Sequence, residues 1–217
     1  MTDQAERIYE RVLVVRAQAG DEAALAELVE RFSPRLRYFL RKLLGPAECH
    51  RAHSLQRGGE ERHRGRSLQN DAEDALQDVW LDVVRGLARL EDPQALVAWL
   101  YRIARDKAYG RLRKARRLEL PLDEAQLEEP AASESDEFSA EDAAKIHAAL
   151  DELPAPQREV LVLRFLEEMS YEEIARVVGC QVGTVRSRIH YAKRAVKARI
   201  QGSGHRRDSG GRRVQES

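Results

Sequence analysis

Apolar residues recur at helical spacing along most of the chain, and the interruptions in that rhythm divide it. Residues 7–19 read as a short helix that Gly20 stops. Asp21 is placed to cap a long amphipathic helix. Its apolar positions, Leu25, Leu28, Phe32, Leu36, Phe39 and Leu43, fall three or four residues apart. Pro34 lies inside it, where a missing backbone donor is expected to kink the axis. Gly45-Pro46 ends the run. From 45 to 69 the periodicity vanishes and Gly, Arg, His and Gln take over, the composition of an exposed, mobile loop. Helix is expected again from Asp71. There Ala72, Leu76, Val79, Val83 and Leu87 make one stripe, and Asp74, Asp78 and Leu81 lie opposite it. After a break at Glu91-Asp92-Pro93, Leu96, Leu100, Ile103 and Ala104 begin another helix. These elements can bury a three- or four-helix core, which places a first domain at 1–117.

Residues 118–140 carry two prolines, several serines and an acidic run, which is linker composition. A second domain is expected over 141–200. Ile146, Leu150 and Leu153 stripe its first helix, which Pro154 ends. Pro156 suits the first turn of the next helix, 156–166. Ser170 with Glu173 three residues on is a capping box for a third. A turn follows Val178-Gly179, and a last helix starts near Val182. The Gly-, Ser- and Arg-rich tail 201–217 is expected to be disordered. The fold class is therefore all-α: two small helical domains joined by a flexible acidic linker.

Composition narrows the function. Ala, Leu, Arg and Glu dominate, and no apolar run approaches the roughly 18 residues that span a membrane. No secretory leader is visible, so membrane insertion is not expected and the cytoplasm is the expected location. Cys49 and Cys180 lie far apart and imply no disulfide framework. Cys49, His50, His53 and His63 match no common zinc spacing, so neither a metal nor another cofactor is expected. No phosphate loop or nucleophile–base pair argues for an enzyme.

The formal net charge of +0 seems to speak against nucleic acid, but the charges are segregated. From Arg102 to Arg117 there are eight basic residues and one acid, and from Leu118 to Asp142 ten acids and no Lys or Arg. From Thr184 to Arg199 there are six basic residues and no acid. Two basic blocks separated by an acidic strip suggest two phosphate-facing surfaces joined by a linker.

The second basic block belongs to a helix-turn-helix pattern over 170–194. Gly179 can take the positive φ that stops the first short helix. Ile174, Ala175 and Val178 face inward there, and the small Ala175 permits a close crossing. Val185, Ile189, Ala192 and Val196 form the inner face of the second helix. The outer arc then carries Arg186, Ser187, His190, Tyr191 and Arg194, with Thr184 at its start and Arg188 on its flank. Arginines near the start of such a helix can bridge guanine O6 and N7, and Lys193, Arg194 and Lys197 suit phosphates.

These residues also carry a family likeness. Leu153-Pro154, Arg158, Val160-Leu161, Leu163-Arg164, the run Ser170–Ala175, and Gly183-Thr184-Val185 followed by Ser187-Arg188 resemble region 4 of bacterial sigma factors. Residues 17–22, 71–80 and 98–105 resemble region 2. Two such domains with none between resemble the extracytoplasmic-function (ECF) type of the sigma-70 family. The likeness covers nearly everything except 45–69 and the tail.

The resemblance implies binding to core RNA polymerase and promoter DNA, with an anti-sigma factor as a further possible partner. The helix matching 71–87 would dock on a coiled coil of the largest polymerase subunit through Asp74, Gln77, Asp78 and Leu81. The segment 86–114 would hold the −10 element. There Arg102, Arg105, Lys107, Arg111, Arg113 and Lys114 supply charge, Tyr101 and Tyr109 supply stacking faces, and Leu90–Gln94 takes a flipped base. Trp99 is assigned to the core. The recognition helix would read the −35 element, and the acidic linker would thread polymerase channels. Three departures stand out. Asp106 replaces a common Asn and is expected to turn inward or alter promoter preference. Gln181 weakens an N-cap. The loop 45–69 is an addition. The competing reading is a stand-alone helix-turn-helix regulator. The first domain discriminates, because a regulator would normally carry a receiver or ligand-binding module there.

Overall fold

The computed structural model describes residues 3–45, 61–116 and 143–204, and these are helical throughout apart from short connections. Helices α1 (Asp3–Gln18), α2 (Glu22–Leu43), α3 (Glu61–Gly86) and α4 (Leu96–Arg116) make the first half. Two 3-10 turns, Leu87–Arg89 and Pro93–Ala95, lie between α3 and α4. Helices α5 (Ala143–Asp151), α6 (Ala155–Phe165), α7 (Tyr171–Val178) and α8 (Val182–Gly204) make the second. Segments 118–140 and 205–217, and residues 46–60 of the expected loop, lie outside the described residues.

The apolar stripe on α2 does what its spacing predicts. Leu28, Phe32, Leu36, Phe39 and Leu43 are buried, with α3 and α4 packed on them through Ala72, Val79, Val83, Leu100 and Ala104. The Asp21 side chain accepts from the Ala24 amide at 3.1 Å, satisfying one of the donors a helix start leaves open. Pro34 does not break α2, which runs unbroken from Glu22 to Leu43. The proline deprives only the Glu30 carbonyl of its donor, and Glu30 is exposed, so water can take that place. Trp80 Nε1 of α3 donates to the Oγ of Ser33, the residue before Pro34, at 3.0 Å.

Helix α3 starts at Glu61, ten residues before the expected Asp71. The stretch Glu61–Gln69, read as loop because apolar periodicity is absent, contains mostly Glu, Arg, Leu and Gln, which lose little side-chain freedom in a helix. Gly86 closes α3 against Trp99, because a β-carbon there would sit 2.9 Å from Trp99 Cζ2. Trp99 is half-buried on the core, as expected.

The second half is a compact helix-turn-helix. Pro154 precedes α6, with Pro156 in its first turn. Ser170 and Glu173 complete the capping box, with the Ser170 amide donating to Glu173 Oε2 at 2.8 Å and the Glu173 amide to Ser170 Oγ at 3.2 Å. Gly179 ends α7 at φ 70° and ψ 38°, the left-handed conformation the turn requires.

The two halves are packed together, α2 against α6 and α4 against α7, and their buried side chains form one continuous cluster. Along one edge of the seam, Lys42 Nζ pairs with Asp151 Oδ1 at 2.6 Å and donates to the His147 carbonyl at 3.2 Å. Tyr38 Oη meets His147 Nδ1 at 2.7 Å. Arg158 is fully buried. Its guanidinium donates to the Lys42 carbonyl and, at 2.9 Å, to the Leu153 carbonyl. It thereby satisfies a carbonyl at the C-terminal end of α2, where intrahelical donors have run out. Arg35 of α2 pairs with Glu167, which follows α6.

Candidate nucleic-acid interface

Helix α4 carries the first basic block, and its side chains divide by neighbourhood. Arg102, Arg113 and Lys114 are exposed. Lys107 pairs with Asp82 at 2.5 Å and Arg111 with Asp78 at 2.6 Å, both across to α3. These pairs are partly solvated, the class that contributes about 0–1 kcal/mol and yields readily to a competing phosphate. Arg105 differs. Its Nε donates to Oε1 of Glu159 at 2.7 Å, and Tyr109 Oη donates to Oε2 of the same carboxylate at 3.1 Å. The Arg105 guanidinium also lies over the Tyr109 ring, 4.6 Å from its centroid. Glu159 belongs to α6, in the other half, and its side chain is 0% exposed. Burial pushes its carboxyl above the ordinary range, while Arg105, Tyr109 and Arg188 pull it back.

Tyr101 is not available for stacking. It is 0% exposed and packs edge-on against Phe39, with centroids 5.0 Å apart. Burial, and the Glu167 carboxylate beside it, raise its hydroxyl well above the ordinary tyrosine value. Its position on the α4 stripe with Leu100 and Ala104 made it core, a choice the aromatic ring's two possible uses left open. Asp106 points outward, with its side chain 66% exposed, so the expectation that it turns inward does not hold. It adds negative charge to the face of α4 that carries Arg102.

On α3, Asp74 and Gln77 are exposed, and Leu81 is 53% exposed. Val84, one turn further on, is 56% exposed and extends the apolar anchor. Sequence reasoning missed Val84, although it stands off the buried stripe and was findable on that ground. Asp78 lies beside this face but is engaged by Arg111.

On α8 the inner residues Val185, Ile189, Ala192 and Val196 are buried, as expected. Arg186 and Arg194 are exposed, and Arg186 sits 5.9 Å from the Tyr171 ring centroid. Thr184, His190 and Tyr191 are half-buried, and the His190 and Tyr191 rings meet edge-on at 5.7 Å. Arg188 is half-buried, and its positive charge favours the ionised forms of Glu159 and Cys180. Ser187 is not outward-facing. It is buried and its hydroxyl donates to the Thr184 carbonyl at 3.0 Å, which removes it from the reading surface. Phe165 and Leu166, at the end of α6, are exposed, and Lys193 lies over the Phe165 ring.

Comparison with known proteins settles what these two halves are. The model "Sigma-70 region 2" matches residues 62–118, and "Sigma-70, region 4" matches 143–196. The ECF RNA polymerase sigma-E factor of Haemophilus influenzae is 27% identical over 208 residues, which cover 91% of this chain and 98% of that protein. The chain belongs to the ECF group of the sigma-70 family. The RNA polymerase sigma-H factor of Pseudomonas aeruginosa is 29% identical across 87% of this chain and 92% of its own length. Among solved structures, CnrH in complex with the cytosolic domain of CnrY matches with a TM-score of 0.57 at 26% identity, covering 89% of this sigma factor and 97% of that chain. The sigma factor RpoE of Bartonella quintana, solved with the anti-sigma factor NepR, shares the fold at a TM-score of 0.55 and 23% identity, over 81% and 96% of the two chains.

Proposed function

We propose that this sigma factor divides promoter recognition between its halves. It directs core RNA polymerase to promoters and so starts transcription. In our reading α4, with Arg102, Arg105, Lys107, Tyr109, Arg111, Arg113 and Lys114, engages the −10 element and helps hold it open. The outer arc of α8, led by Arg186 and Arg188, reads the −35 element. The face of α3 made by Asp74, Gln77, Leu81 and Val84 docks on polymerase.

The observation that carries this reading is that exposed α3 face. It sets acid and amide groups beside a desolvatable apolar anchor, the make-up of a protein contact. A stand-alone regulator has no use for it. We assign the protein no reaction of its own, since polymerase supplies the chemistry, and place its work in the cytoplasm, where polymerase and DNA meet. Among the described residues, no helix is long and apolar enough to cross a membrane. CnrH was solved with CnrY, and we propose a comparable regulatory partner here.

Run-off transcription with purified core polymerase on genomic promoter fragments tests the whole. Addition of this protein is expected to start transcription from specific sites. The double substitution Asp74→Lys, Gln77→Lys is expected to abolish both that activity and co-purification with core. Undiminished co-purification would overturn the docking assignment.

A further inference from the structure

We propose that Gln18 is a positioning residue for strand opening: its side-chain amide fixes the connection between α3 and α4 in the shape that meets unpaired bases of the −10 element. The inference rests on the assignment of α4 to that element, because the connection leads straight into α4. Gln18 is the last residue of α1. Its Nε2 donates to two carbonyls far along the chain, that of Leu87 at 2.9 Å and that of Leu90 at 2.8 Å. Both neighbours are acceptors, so only the nitrogen of the amide suits the place. The two carbonyls bracket the first 3-10 turn, and Leu90 is where the chain leaves it, extended at φ −75° and ψ 99°.

The connection's own hydrogen bonds are local. Its two 3-10 turns are three residues each, a geometry whose hydrogen bonds are poor. The Leu90 amide returns to the Leu87 carbonyl at 3.0 Å, and the Ala95 amide to the Asp92 carbonyl at 3.0 Å. Asp92 Oδ1 accepts from the Gln94 amide at 2.8 Å. Each of these bonds spans two or three residues and shapes a single turn. Gln18 instead ties the connection to α1, which packs on both turns. Buried Leu87 and Leu96 anchor the two ends, and between them Glu91, Asp92 and Gln94 are exposed.

What the connection presents differs from what α4 presents. Helix α4 turns out Arg102, Arg113 and Lys114, which suit phosphates. The connection turns out two carboxylates and an amide. Carboxylates repel phosphate, but they accept from the exocyclic amine of cytosine, and an amide pairs with adenine. The Watson–Crick edges of bases come free only when the strands separate. Hydrogen bonds to such edges tolerate displacements of a few tenths of an ångström, whereas a long cation follows a phosphate over a wider range. A connection loosened from α1 therefore loses bases while α4 keeps its phosphates. Gln18 acts through the Leu87 and Leu90 carbonyls, not by touching DNA.

The test uses the full chain assembled with core polymerase, on a forked template. The fork leaves unpaired the −10 strand of a start site found by run-off transcription. Gln18→Ala is expected to weaken binding to the fork about tenfold, as it would if about a tenth of the population kept the competent shape. Gln18→Glu keeps the side chain's form but sets a carboxylate against two carbonyls, and is expected to lose at least as much. Full affinity in Gln18→Glu would refute donation as the cause. Binding to core, and to a duplex carrying only the upstream element, is expected to stay unchanged in both variants. A matching loss there would show that Gln18 holds the domain as a whole, and would overturn the proposal. An abasic scan along the unpaired strand gives a readout that such a structural role does not move. At the base that the connection meets, the abasic site and Gln18→Ala should not compound, whereas elsewhere their effects should be independent. Losses that multiply at every position would also overturn the proposal. Arg102→Ala separates the two claims. Unchanged fork affinity there would refute the assignment of α4 to the −10 element, whereas a loss there beside a neutral Gln18→Ala would refute the role of Gln18 alone.

Discussion

Helices α4 and α8 each bury an apolar stripe and turn an arc of arginine and lysine away from it, but those cations keep different company. On α4, Arg105, Lys107 and Arg111 each have a carboxylate within 2.7 Å, the first supplied by the other half of the molecule. On α8, Arg186 and Arg194 are exposed and, among the described residues, pair with no acid. A basic block in a sequence therefore says where positive charge is, not whether it is free to act. Availability is set by acids that the fold brings in from elsewhere, here Asp78, Asp82 and above all Glu159.

Removing the arginines one at a time should break this symmetry in stability. Arg105→Ala strands the Glu159 carboxylate in a site that is 0% exposed. Loss of one partner of a buried pair costs about 3–5 kcal/mol, and urea unfolding of the full chain should show a destabilisation of that order. Arg194→Ala removes a solvated charge and is expected to stay within about 0.5 kcal/mol of the parent. Equal midpoints for the two variants would mean that Glu159 does not depend on Arg105.

The ranking should reverse for duplex DNA. Arg186→Ala is expected to weaken binding to an upstream promoter element by about 1–3 kcal/mol for a lost base contact, while leaving the unfolding midpoint nearly unchanged. Footprinting undiminished when Arg186 and Arg188 are both alanine would refute the assignment of α8 to base reading.

Local order was legible in the sequence, and partnership between distant segments was not. The Ser170–Glu173 capping box, the Gly179 turn and the α2 stripe are each written within a few residues, and each stands where spacing places it. Ser187 and Tyr101 were misplaced because helical position alone leaves a flank residue's environment undecided. Ser187 settled its hydroxyl on the Thr184 carbonyl, and Tyr101 its ring on Phe39. The start of α3 was misplaced because periodicity reports packing and not helix propensity. The seam itself was invisible. Nothing near Glu159 or Arg158 in sequence announces that one meets Arg105 and the other the end of α2.

The turn between α7 and α8 offers a smaller test, since it sets where α8 starts. Gly179 holds φ at 70° with open space around its missing β-carbon, so only backbone strain opposes substitution. Gly179→Ala should cost about 1–2 kcal/mol, the penalty for a side chain in the left-handed region. A cost near zero would show that the turn relaxes, and the fixed placement of α8 against α7 would then need another cause.

The last difference between the regions is silent at neutral pH. Tyr38, on the α2 side of the seam, has its hydroxyl pushed up to about 12, first by burial and then by the Asp151 carboxylate. Its ordinary value is 10.0, so the folded protein holds this proton more tightly than the unfolded chain does. The stability this provides is complete below pH 10.0 and is lost as pH rises through about 12. Ultraviolet titration should show a late tyrosinate step that Tyr38→Phe removes. Because the second cause comes from the second half, an Asp151→Ala variant should bring the step part of the way back toward 10.0. Ionisation of Tyr38 near 10.0 in the unmodified protein would mean that its hydroxyl is already solvated. The α2 edge of the seam would then be solvated, and the contrast between an engaged α4 and an available α8 would rest on Glu159, Asp78 and Asp82 without it.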